Sequence, residues 1–290
     1  MIIRTSSASQ NNRMPAILNT WFHFAPNNIL ITTNGKVQFL KDQLIKQNLS
    51  SLNNTLYHSD CIQSHTVSHL CCHSASEFLL YYQQEASFKW LCRFDDDQYV
   101  NVPLLIDYLK GFSYDLPYYI GKPSFNQPKV GHGRRFWFAT YGGGVCFSQR
   151  LLSIIKEHVD TRERFIKGCI DTKYPDDTYI AYLLHAEYNI NLTIAENFHH
   201  HIEKDLYVNL TSTIDQAITL GFKGSNVPRF SPIVNRDIFH MQTTHCLLYP
   251  NNLCMKYLRT YLNRLYEREE SKTSTKIISS TINLKKKKAT

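Results

Sequence analysis

The most informative stretch of the chain reads Phe88-Lys89-Trp90-Leu91-Cys92-Arg93-Phe94-Asp95-Asp96-Asp97. Its first seven residues are mostly apolar and rich in aromatic side chains, which predicts a buried β-strand. The three carboxylates that follow repel one another, and burying them without a partner is costly. A hard divalent cation such as Mg²⁺ or Mn²⁺ prefers oxygen ligands and would relieve this repulsion. A solvated acidic turn is the alternative, and the stretch alone favours neither, although open α/β sheets bind ligands at the carboxyl ends of their strands.

The pattern of apolar residues along the chain predicts an α/β fold. Hydrophobic residues make up 43% of the 290 residues and aromatic residues 13%, which is typical of globular proteins rather than disordered ones. Predicted strands and helices alternate without an internal repeat. The predicted strands are residues 29–33, 88–94, 118–120 and 191–195, and the predicted helices are residues 14–24, 74–84, 104–109, 148–158 and 179–188. Asn101 is expected to cap the third of these helices, and residues 126–135 are expected to form a mobile loop.

The charge distribution limits the kinds of partner. The net charge is +8, and part of the excess lies in lysines at positions 285–288. We expect residues 255–290 to form a polar, basic tail that is partly disordered. The rest of the chain has no basic stripe, so we expect no nucleic-acid partner. A mildly basic surface suits a nucleotide diphosphate or another polyanionic substrate.

The eight cysteines point to disulfides rather than to a zinc site. No Cys-x-x-Cys pair occurs, which argues against structural zinc. Two close spacings would form small disulfide-closed loops, Cys61 with Cys72 and Cys246 with Cys254. Four Asn-x-Ser/Thr sequons, at positions 48, 53, 191 and 209, agree with a secretory compartment. The sequence contains no signal peptide or long apolar segment, and we interpret the chain as a form without its membrane anchor.

A second acidic pair, Asp176 and Asp177, opens an amphipathic helix. Carboxylates favour helix N-termini for capping and dipole reasons, so the pair has a purely structural explanation. The functional alternative is that one of the two faces a cleft and accepts a proton.

Three consecutive histidines, at positions 199–201, follow the last predicted strand. Successive strand residues point to opposite sides, so His199 and His201 would share a face. One of them facing the Asp triad (Asp95, Asp96 and Asp97) would complete a mixed oxygen and nitrogen site acceptable to Mn²⁺. A surface histidine cluster is the alternative.

Three glycines, at positions 142–144, match neither a P-loop nor a dinucleotide-binding fingerprint. They suit a place where the backbone approaches a flat ligand such as a sugar, or a tight turn between a strand and a helix.

Taken in order, several segments resemble a Fringe-type β1,3-N-acetylglucosaminyltransferase. They are residues 90–101 (WLCRFDDDQYVN), 119–124 (YIGKPS), 136–140 (FWFAT), 175–177 (PDD), 198–201 (FHHH) and 245–250 (HCLLYP). The FWFAT and HCLLYP strings are specific to Fringe-like members of the wider β1,3-glycosyltransferase family, whereas many enzymes of the GT-A fold share the Asp triad. The resemblance covers residues 1–254, which we expect to form the glycosyltransferase domain.

The resemblance implies a GT-A fold, which is a Rossmann-like nucleotide-sugar-binding domain with a mixed, mostly parallel sheet flanked by helices. It implies inverting transfer of N-acetylglucosamine from UDP-N-acetylglucosamine, in β1,3 linkage, to O-linked fucose on EGF-like repeats such as those of Notch. The cofactor would be Mn²⁺. The enzyme would be a type II membrane protein of the Golgi lumen, attached only through an N-terminal anchor that this chain lacks.

The resemblance also implies roles for individual residues. Asp97 would ligate the metal together with His201, or with its same-face neighbour His199. Asp177 would be the catalytic base, with Asp176 as the second choice. The donor-binding residues would be Thr5, Arg13, Asp95, Asp96, Gly143 and Gly144, and the acceptor-binding residues would be Trp137 and Phe138. The disulfides would be Cys61–Cys72, Cys92–Cys146 and Cys246–Cys254, which leaves Cys71 and Cys169 over.

Departures from the family pattern keep two alternatives open. Thr178 and Tyr141 stand where Fringe proteins usually have Cys and Gly. One alternative is a related β1,3-transferase that moves galactose or glucose. The other is a catalytically inactive descendant that binds a glycan or a protein, with Tyr141 blocking the sugar pocket.

Overall fold

A mixed β-sheet lies at the centre of the structure, a computed structural model that describes residues 1–84, 88–123, 125–200, 203, 214–221 and 241–250. The strands, numbered along the chain, are β1 (Ile2–Arg4), β2 (Leu30–Thr33), β3 (Leu56–His58), β4 (Trp90–Asp95), β5 (Gln98–Val100), β6 (Tyr119–Gly121), β7 (Lys129–Gly131), β8 (Arg134–Phe136), β9 (Val145–Ser148), β10 (Leu192–Ile194), β11 (Phe198–His199) and β12 (Thr219–Gly221). The central sheet has seven strands in the order β10-β6-β9-β4-β1-β2-β3. β9 is antiparallel to both of its neighbours, and the other neighbouring pairs are parallel. The predicted α/β fold with a mixed, mostly parallel sheet is confirmed.

Among the described residues, two smaller sheets make up the rest of the β-structure. One has the order β11-β12-β5, and its strand β5 is the next strand after β4 in the chain. The other is a hairpin of β7 and β8, which replaces the mobile loop predicted for residues 126–135. That prediction was wrong because a two-residue turn joins the strands: His132 and Gly133 both have positive φ, at 51° and 70°, as a tight hairpin turn requires.

Helices flank the central sheet. They are α1 (Gln10–Leu18), α2 (Val37–Lys46), α3 (Val67–Gln83), α4 (Val102–Leu109), α5 (Gln149–Val159), α6 (Arg162–Thr172), α7 (Asp176–Tyr188) and α8 (Met241–Leu248). Asn101 caps α4 as predicted, because its side chain accepts a hydrogen bond from the backbone N–H of Leu104.

Two predicted helices differ from the observed ones. The helix predicted for residues 14–24 ends at Leu18, since the side chains of Asn19 and Thr20 hydrogen bond back to the carbonyls of Pro15 and Ala16. α3 begins at Val67, well before the predicted residue 74, and its first turns carry the buried Cys71 and Cys72, which are disulfide-bonded to Cys169 of α6 and to Cys61.

The sheet separates two apolar clusters. Ile3 and Phe94 belong to the cluster that includes α1 and α4, whereas their neighbours Ile2 and Leu91 belong to the cluster that includes α3, α5 and α7. Alternate residues of a strand point to opposite faces, so both faces of β1 and β4 are covered.

Three disulfides are present among the described residues. Cys61–Cys72 and Cys92–Cys146 pair as predicted, and the second joins two residues directly opposite each other on β4 and β9. The two cysteines left over in the sequence analysis, Cys71 and Cys169, pair with each other and join α3 to α6. Cys246 is disulfide-bonded, and its predicted partner, Cys254, lies outside the described residues.

Two further observations concern membrane-spanning helices and the predicted C-terminal tail. Within the described ranges, none of the helices has the length and apolar character needed to span a membrane. The predicted tail, residues 255–290, lies outside those ranges.

Candidate active site

The Asp triad lies at the carboxyl end of β4, at the centre of the sheet. Asp95 is the last residue of β4, and Asp96 and Asp97 form the turn into β5. The backbone N–H of Asp95 donates to the side-chain oxygen of Gln98 at 2.7 Å, which closes the turn. β1 runs parallel to β4 with Arg4 in register with Asp95, so the carboxyl ends of both strands meet here. This is the edge at which α/β sheets bind ligands.

Asp96 is held by the segment that follows β1. Its Oδ2 accepts hydrogen bonds from the hydroxyls of Thr5 and Ser9, both at 2.5 Å, and its Oδ1 accepts from Arg13 at 2.6 Å. Burial raises the pKa of Asp96, although Arg13 and the two hydroxyls oppose that rise. The structure thus joins three residues predicted to bind the donor, Thr5, Arg13 and Asp96, into one hydrogen-bonded cluster. Its immediate effect is to fix residues 5–13 against the triad.

A buried ion network extends from the triad to α3 and α7. Arg4 contacts Glu77 at 2.5 Å and Asp176 at 3.0 Å. Arg93 contacts the same Glu77 at 3.2 Å and Asp95 at 2.7 Å. Buried ions are tolerated only when they are paired, and removing one partner of such a pair costs about 3–5 kcal/mol. The network therefore ties β1, β4, α3 and α7 together at one place.

The network gives the two neighbouring aspartates at the start of α7 opposite protonation behaviour. Burial would raise the pKa of Asp176, but Arg4, Arg93 and the hydroxyl of Ser74 hold that pKa below its usual value. Asp177 is half-buried, and burial together with the negative charge of Asp176 raises its pKa to about 7. Asp176 is an ion-pair partner that stays charged, whereas Asp177 can exchange a proton near neutral pH. Of the two, Asp177 has the pKa that a base working near neutral pH requires.

The histidine segment lies in the small sheet beside the triad. His199 is in register with Leu220 of β12, which is in register with Tyr99 of β5, so His199 lies two strands, or about 10 Å, from β5. His199 Nδ1 lies 3.0 Å from Glu203, and Glu203 also contacts Lys122 at 3.1 Å. Although burial would raise the pKa of Glu203, His199 and Lys122 lower it to about 2.

The predicted sugar-facing glycines pack between β4 and this small sheet. Gly144 has φ 84°, and a Cβ atom there would lie 2.7 Å from the ring of Phe94. The carbonyl of Gly143 accepts a hydrogen bond from Thr219 at 2.6 Å. The turn therefore needs glycine for its own conformation, and its backbone lies directly beside the residue that precedes the triad.

The aromatic residues of the predicted acceptor side differ in exposure. Trp137 is half-buried, whereas Phe138 is 8% exposed and contacts the ring of Phe125. Tyr141 is buried, and its ring lies 4.3 Å from the guanidinium of Arg93. The ring of Tyr141 therefore packs against Arg93 of the ion network.

Comparison with known proteins identifies the family. A family model described as Fringe-like matches residues 1–252. The chain belongs to the Fringe-like family.

Curated relatives of this Fringe-like chain have been named for their activity. It is 28% identical to the Fringe glycosyltransferase of Drosophila melanogaster over 86% of this chain and 61% of that one. It is 30% identical to the β1,3-N-acetylglucosaminyltransferase radical fringe of Notophthalmus viridescens over 86% and 64% of the respective chains. Human manic fringe is 28% identical, over 86% and 78%. The chain thus spans less than two thirds of the length of the first two relatives.

A solved structure of the glycosyltransferase GlyE of Streptococcus pneumoniae TIGR4 has a TM-score of 0.45 and 10% sequence identity to the chain. It covers 92% of this chain and 63% of that one, and a likeness at this level carries no argument about function.

The carboxylates of the Fringe-like chain can be compared with the requirements of Mn²⁺. Among the residues that the structure describes, no three His, Cys, Asp or Glu side chains form a group that could hold a metal ion. The predicted ligand His201 lies outside those residues. Asp97 is 5% exposed and lies 3.5 Å from Arg13, a longer contact than Asp96 makes with the same guanidinium. Carboxylate oxygens with one imidazole nitrogen are a donor set that fits Mn²⁺.

Sequence reasoning missed the residues that support the site. They are Arg4, Ser9, Ser74, Glu77 and Arg93. A charged residue inside an apolar element was the available signal, because Arg and Glu are almost never fully buried unless paired. Arg93 within β4 and Glu77 within α3 both satisfy that description.

Proposed function

We propose that this Fringe-like chain is an inverting glycosyltransferase that moves N-acetylglucosamine from UDP-N-acetylglucosamine, in β1,3 linkage, to O-linked fucose on EGF-like repeats. We place it in the Golgi lumen, with Mn²⁺ as its cofactor. The names of the curated relatives support the sugar and the linkage. The observation that carries the proposal is Asp177, a half-buried carboxyl with its pKa raised to about 7. Its neighbour Asp176 is joined to Asp95 of the triad by a chain of ion pairs through Arg4, Glu77 and Arg93.

The proposed chemistry is a single displacement at the anomeric carbon. A sugar hydroxyl is a poor nucleophile, and Asp177 accepts its proton as the oxygen attacks. The new glycosidic bond forms as the bond to the diphosphate breaks, so UDP leaves with the electron pair and the configuration inverts. A base with a pKa near the working pH is ionised in a large fraction of molecules and still binds a proton effectively.

The neighbours of Asp177 prepare it for this step. Burial and the charge of Asp176 raise the pKa of Asp177, while Arg4 keeps Asp176 ionised. Thr178 donates a hydrogen bond to Oδ1 of Asp177 at 3.2 Å, which orients the carboxylate. One helix start therefore contains a structural carboxylate and a reactive one.

The donor side would depend on the triad. Asp97, with His201 or His199, would hold Mn²⁺, which when bound neutralises negative charge on the diphosphate. Asp96 keeps residues 5–13 in place through Thr5 and Arg13. Asp95 is fixed by Arg93 at 2.7 Å, so the orientation of the triad is set before a donor binds.

The test measures transfer from UDP-N-acetylglucosamine, UDP-galactose and UDP-glucose to a small fucoside, with Mn²⁺ or with EDTA. We expect N-acetylglucosamine transfer only with Mn²⁺. Asp177→Asn should lower kcat by about 10³-fold, within the range for losing a general base, with the Kd for UDP unchanged. Asp171→Asn, at an exposed carboxylate of α6, is the matched control and should behave like the wild type. Retained turnover in Asp177→Asn would sink the assignment of the base, and preference for another sugar would replace the proposed donor.

A further inference from the structure

The β7–β8 hairpin presents one face to the protein and the other to solvent. Phe136 and Lys129 are directly opposite each other, as are Arg135 and Val130. Opposite residues of an antiparallel pair share a face. Phe136 is buried, and its ring lies 6.0 Å from that of Tyr174 and 5.7 Å from that of Tyr182. The other face is therefore turned outward, and Val130 on it is 71% exposed.

The exposed surface of the hairpin is cationic and partly apolar. Arg135 lies on the outward face with Val130, whereas Lys129 and Arg134 alternate onto the face of Phe136, where Lys129 Nζ lies 5.8 Å from the centre of the Tyr174 ring. All three side chains are exposed, and none of them forms an ion pair with another described residue. The sequence contains no Asp or Glu between Asp115 and Glu157. The ring of Phe125, four residues before Lys129 in the chain, is 64% exposed. Such a surface has no acidic residue of its own segment to neutralise it.

The hairpin is fixed close to the candidate base. The ring of His132 lies 5.1 Å from that of Tyr174, and its Nε2 lies 2.9 Å from the carbonyl of Thr172. Gly131 packs against Tyr174, where any side chain would overlap its hydroxyl. Tyr174 is three residues before Asp177, so the two lie within about 11 Å of each other even along an extended chain.

We propose that the exposed surface of this hairpin, formed by the outward-facing Val130 and Arg135 and by the exposed Lys129 and Arg134, docks an acidic surface of the polypeptide that carries the acceptor sugar. The choice of an acidic polypeptide follows from charge complementarity, and the exposed Val130 and Phe125 add apolar contact area. The inference rests on the proposed function, since it assigns the protein part of the acceptor to a surface beside Asp177. Interface charges of this kind act mainly on encounter and on specificity, so the hairpin distinguishes protein acceptors from free sugars.

The experiment uses the full chain and compares its activity toward two acceptors. One is a folded, O-fucosylated EGF-like repeat of net negative charge, and the other is 4-nitrophenyl fucoside. The variant Arg134→Glu/Arg135→Glu should raise KM for the repeat about 10-fold or more and leave kcat and KM for the fucoside within twofold. Arg134→Lys/Arg135→Lys retains the charge and should stay near the wild type. The matched control is Lys41→Glu/Lys46→Glu, which changes the net charge by the same amount. These lysines lie on α2, which packs near β3 at the opposite edge of the sheet.

Salt supplies an independent readout. KM of the wild type for the repeat should rise as NaCl increases from about 50 to 500 mM, because exposed charges are screened over a shorter distance. The glutamate variant should show little salt dependence.

Unchanged KM for the repeat, equal effects on both acceptors, or the same effect in the α2 control would overturn the docking proposal. So would a shift of the variant from dimer to monomer in light scattering, because the surface would then bind a second copy. Absence of transfer to either acceptor by the wild type would instead overturn the proposed function, and the docking site with it.

Discussion

At the scale of single residues, the start of α7 shows how two identical side chains acquire different properties. Asp176 and Asp177 are consecutive, and successive residues of a helix point about 100° apart. Asp176 therefore meets Arg4 at 3.0 Å, whereas the contact of Asp177 is the hydroxyl of Thr178. Arg4 and Arg93 hold the pKa of Asp176 down against the effect of burial, whereas burial and the charge of Asp176 together raise the pKa of Asp177.

The first residue-scale prediction concerns Asp176→Asn. The change removes the negative charge that raises the pKa of Asp177 and leaves Arg4 positive nearby, and both effects lower that pKa. The rising limb of kcat/KM against pH should move to lower pH, by about one unit. The pH profile of purified variant and wild type checks this, with Asp171→Asn as the control whose limb should not move. A limb that moves to higher pH would contradict the assigned interaction.

The second residue-scale prediction concerns stability. Between pH 4 and pH 7 the folded state holds a proton on Asp177 that the unfolded state has lost, so stability falls as pH rises through this window. Asp177→Asn has no such proton to lose and should be more stable than the wild type above pH 7, by on the order of 1 kcal/mol, or about 2–4 °C in Tm.

Thermal unfolding of both proteins at pH 4.5 and pH 8 measures that difference. The gain in Tm should be small at pH 4.5 and larger at pH 8, whereas Asp171→Asn should follow the wild type at both. An equal gain at both pH values would mean that titration of Asp177 is not its cause.

What the sequence could reveal at this scale depended on neighbours in the chain. Asp177 belongs to a short local motif, and its place before an amphipathic helix is readable from residues 175–188 alone. Arg4 and Glu77 lie 73 positions apart, and their pairing depends on a parallel sheet that brings β1 beside β4. Only the fold makes such a contact, so a local pattern could mark Glu77 as a charged residue in an apolar helix but could not pair it with Arg4.

At the scale of elements, the turn before β9 illustrates a backbone that permits only glycine. Gly144 and Gly133 both have left-handed φ, at 84° and 70°. Beside Gly144 the ring of Phe94 occupies the space of a Cβ, whereas nothing lies within 4 Å of the same position at Gly133. The two positions share a positive φ and differ in steric surroundings.

This pair gives a matched prediction. Gly133→Ala should destabilise the protein by about 1–2 kcal/mol, which is the cost of a left-handed alanine. Gly144→Ala should cost about 1–3 kcal/mol more, because the methyl group also displaces Phe94 next to the triad. Urea unfolding measures both values, and equal losses would show that Phe94 yields without cost.

The disulfide between α3 and α6 leads to another prediction at this scale. Cys71–Cys169 spans 98 residues and Cys61–Cys72 spans 11. In the chain-entropy description the longer loop contributes about 4.7 kcal/mol and the shorter about 2.8 kcal/mol. Replacing both cysteines of the longer bridge by alanine should therefore lower stability more than the same change in the shorter one. Urea midpoints of the two double variants decide it, and the reverse order would contradict the loop-length argument.

Elements with a strong apolar pattern were predictable, and short or polar ones were not. β4 is apolar along most of its length and was recognised to within two residues at its start. β1 has only three residues, and β7 and β8 are mostly exposed. None of these three strands carries the long apolar run or the regular alternation that marks a strand in a sequence. These strands exist because of pairing with partners distant or adjacent in the chain, which hydrophobic periodicity does not report.

At the scale of the whole molecule, the fold collects the chemistry of distant segments at one edge of the sheet. Residues near positions 4, 95 and 176 meet through the ion network, and β11 and β12 bring residues near 199 and 220 beside β5. The family and the α/β class followed from ordered motifs in the sequence. The meeting of these motifs required the parallel order of β4, β1 and β2, and that is a property of the assembled sheet.

The whole-molecule prediction is that UDP stabilises the protein only together with Mn²⁺. A ligand that binds only the folded state raises stability by about 2.7 kcal/mol at one hundred times its Kd, which is about 5–10 °C in Tm for a chain of this size. We expect that rise with UDP and Mn²⁺ together and a rise of less than about 1 °C with UDP and EDTA, because the diphosphate would meet carboxylates whose charge is not neutralised. Asp97→Asn should lose the Mn²⁺-dependent part of this rise, whereas Asp107→Asn, which removes an exposed carboxylate on α4, should keep it.

Differential scanning fluorimetry of the three proteins provides the measurement. Because the variants are compared with and without ligand, a change in intrinsic stability at Asp97 separates from a change in binding. A full UDP shift in EDTA, or in Asp97→Asn, would show that the triad does not bind the donor through a metal.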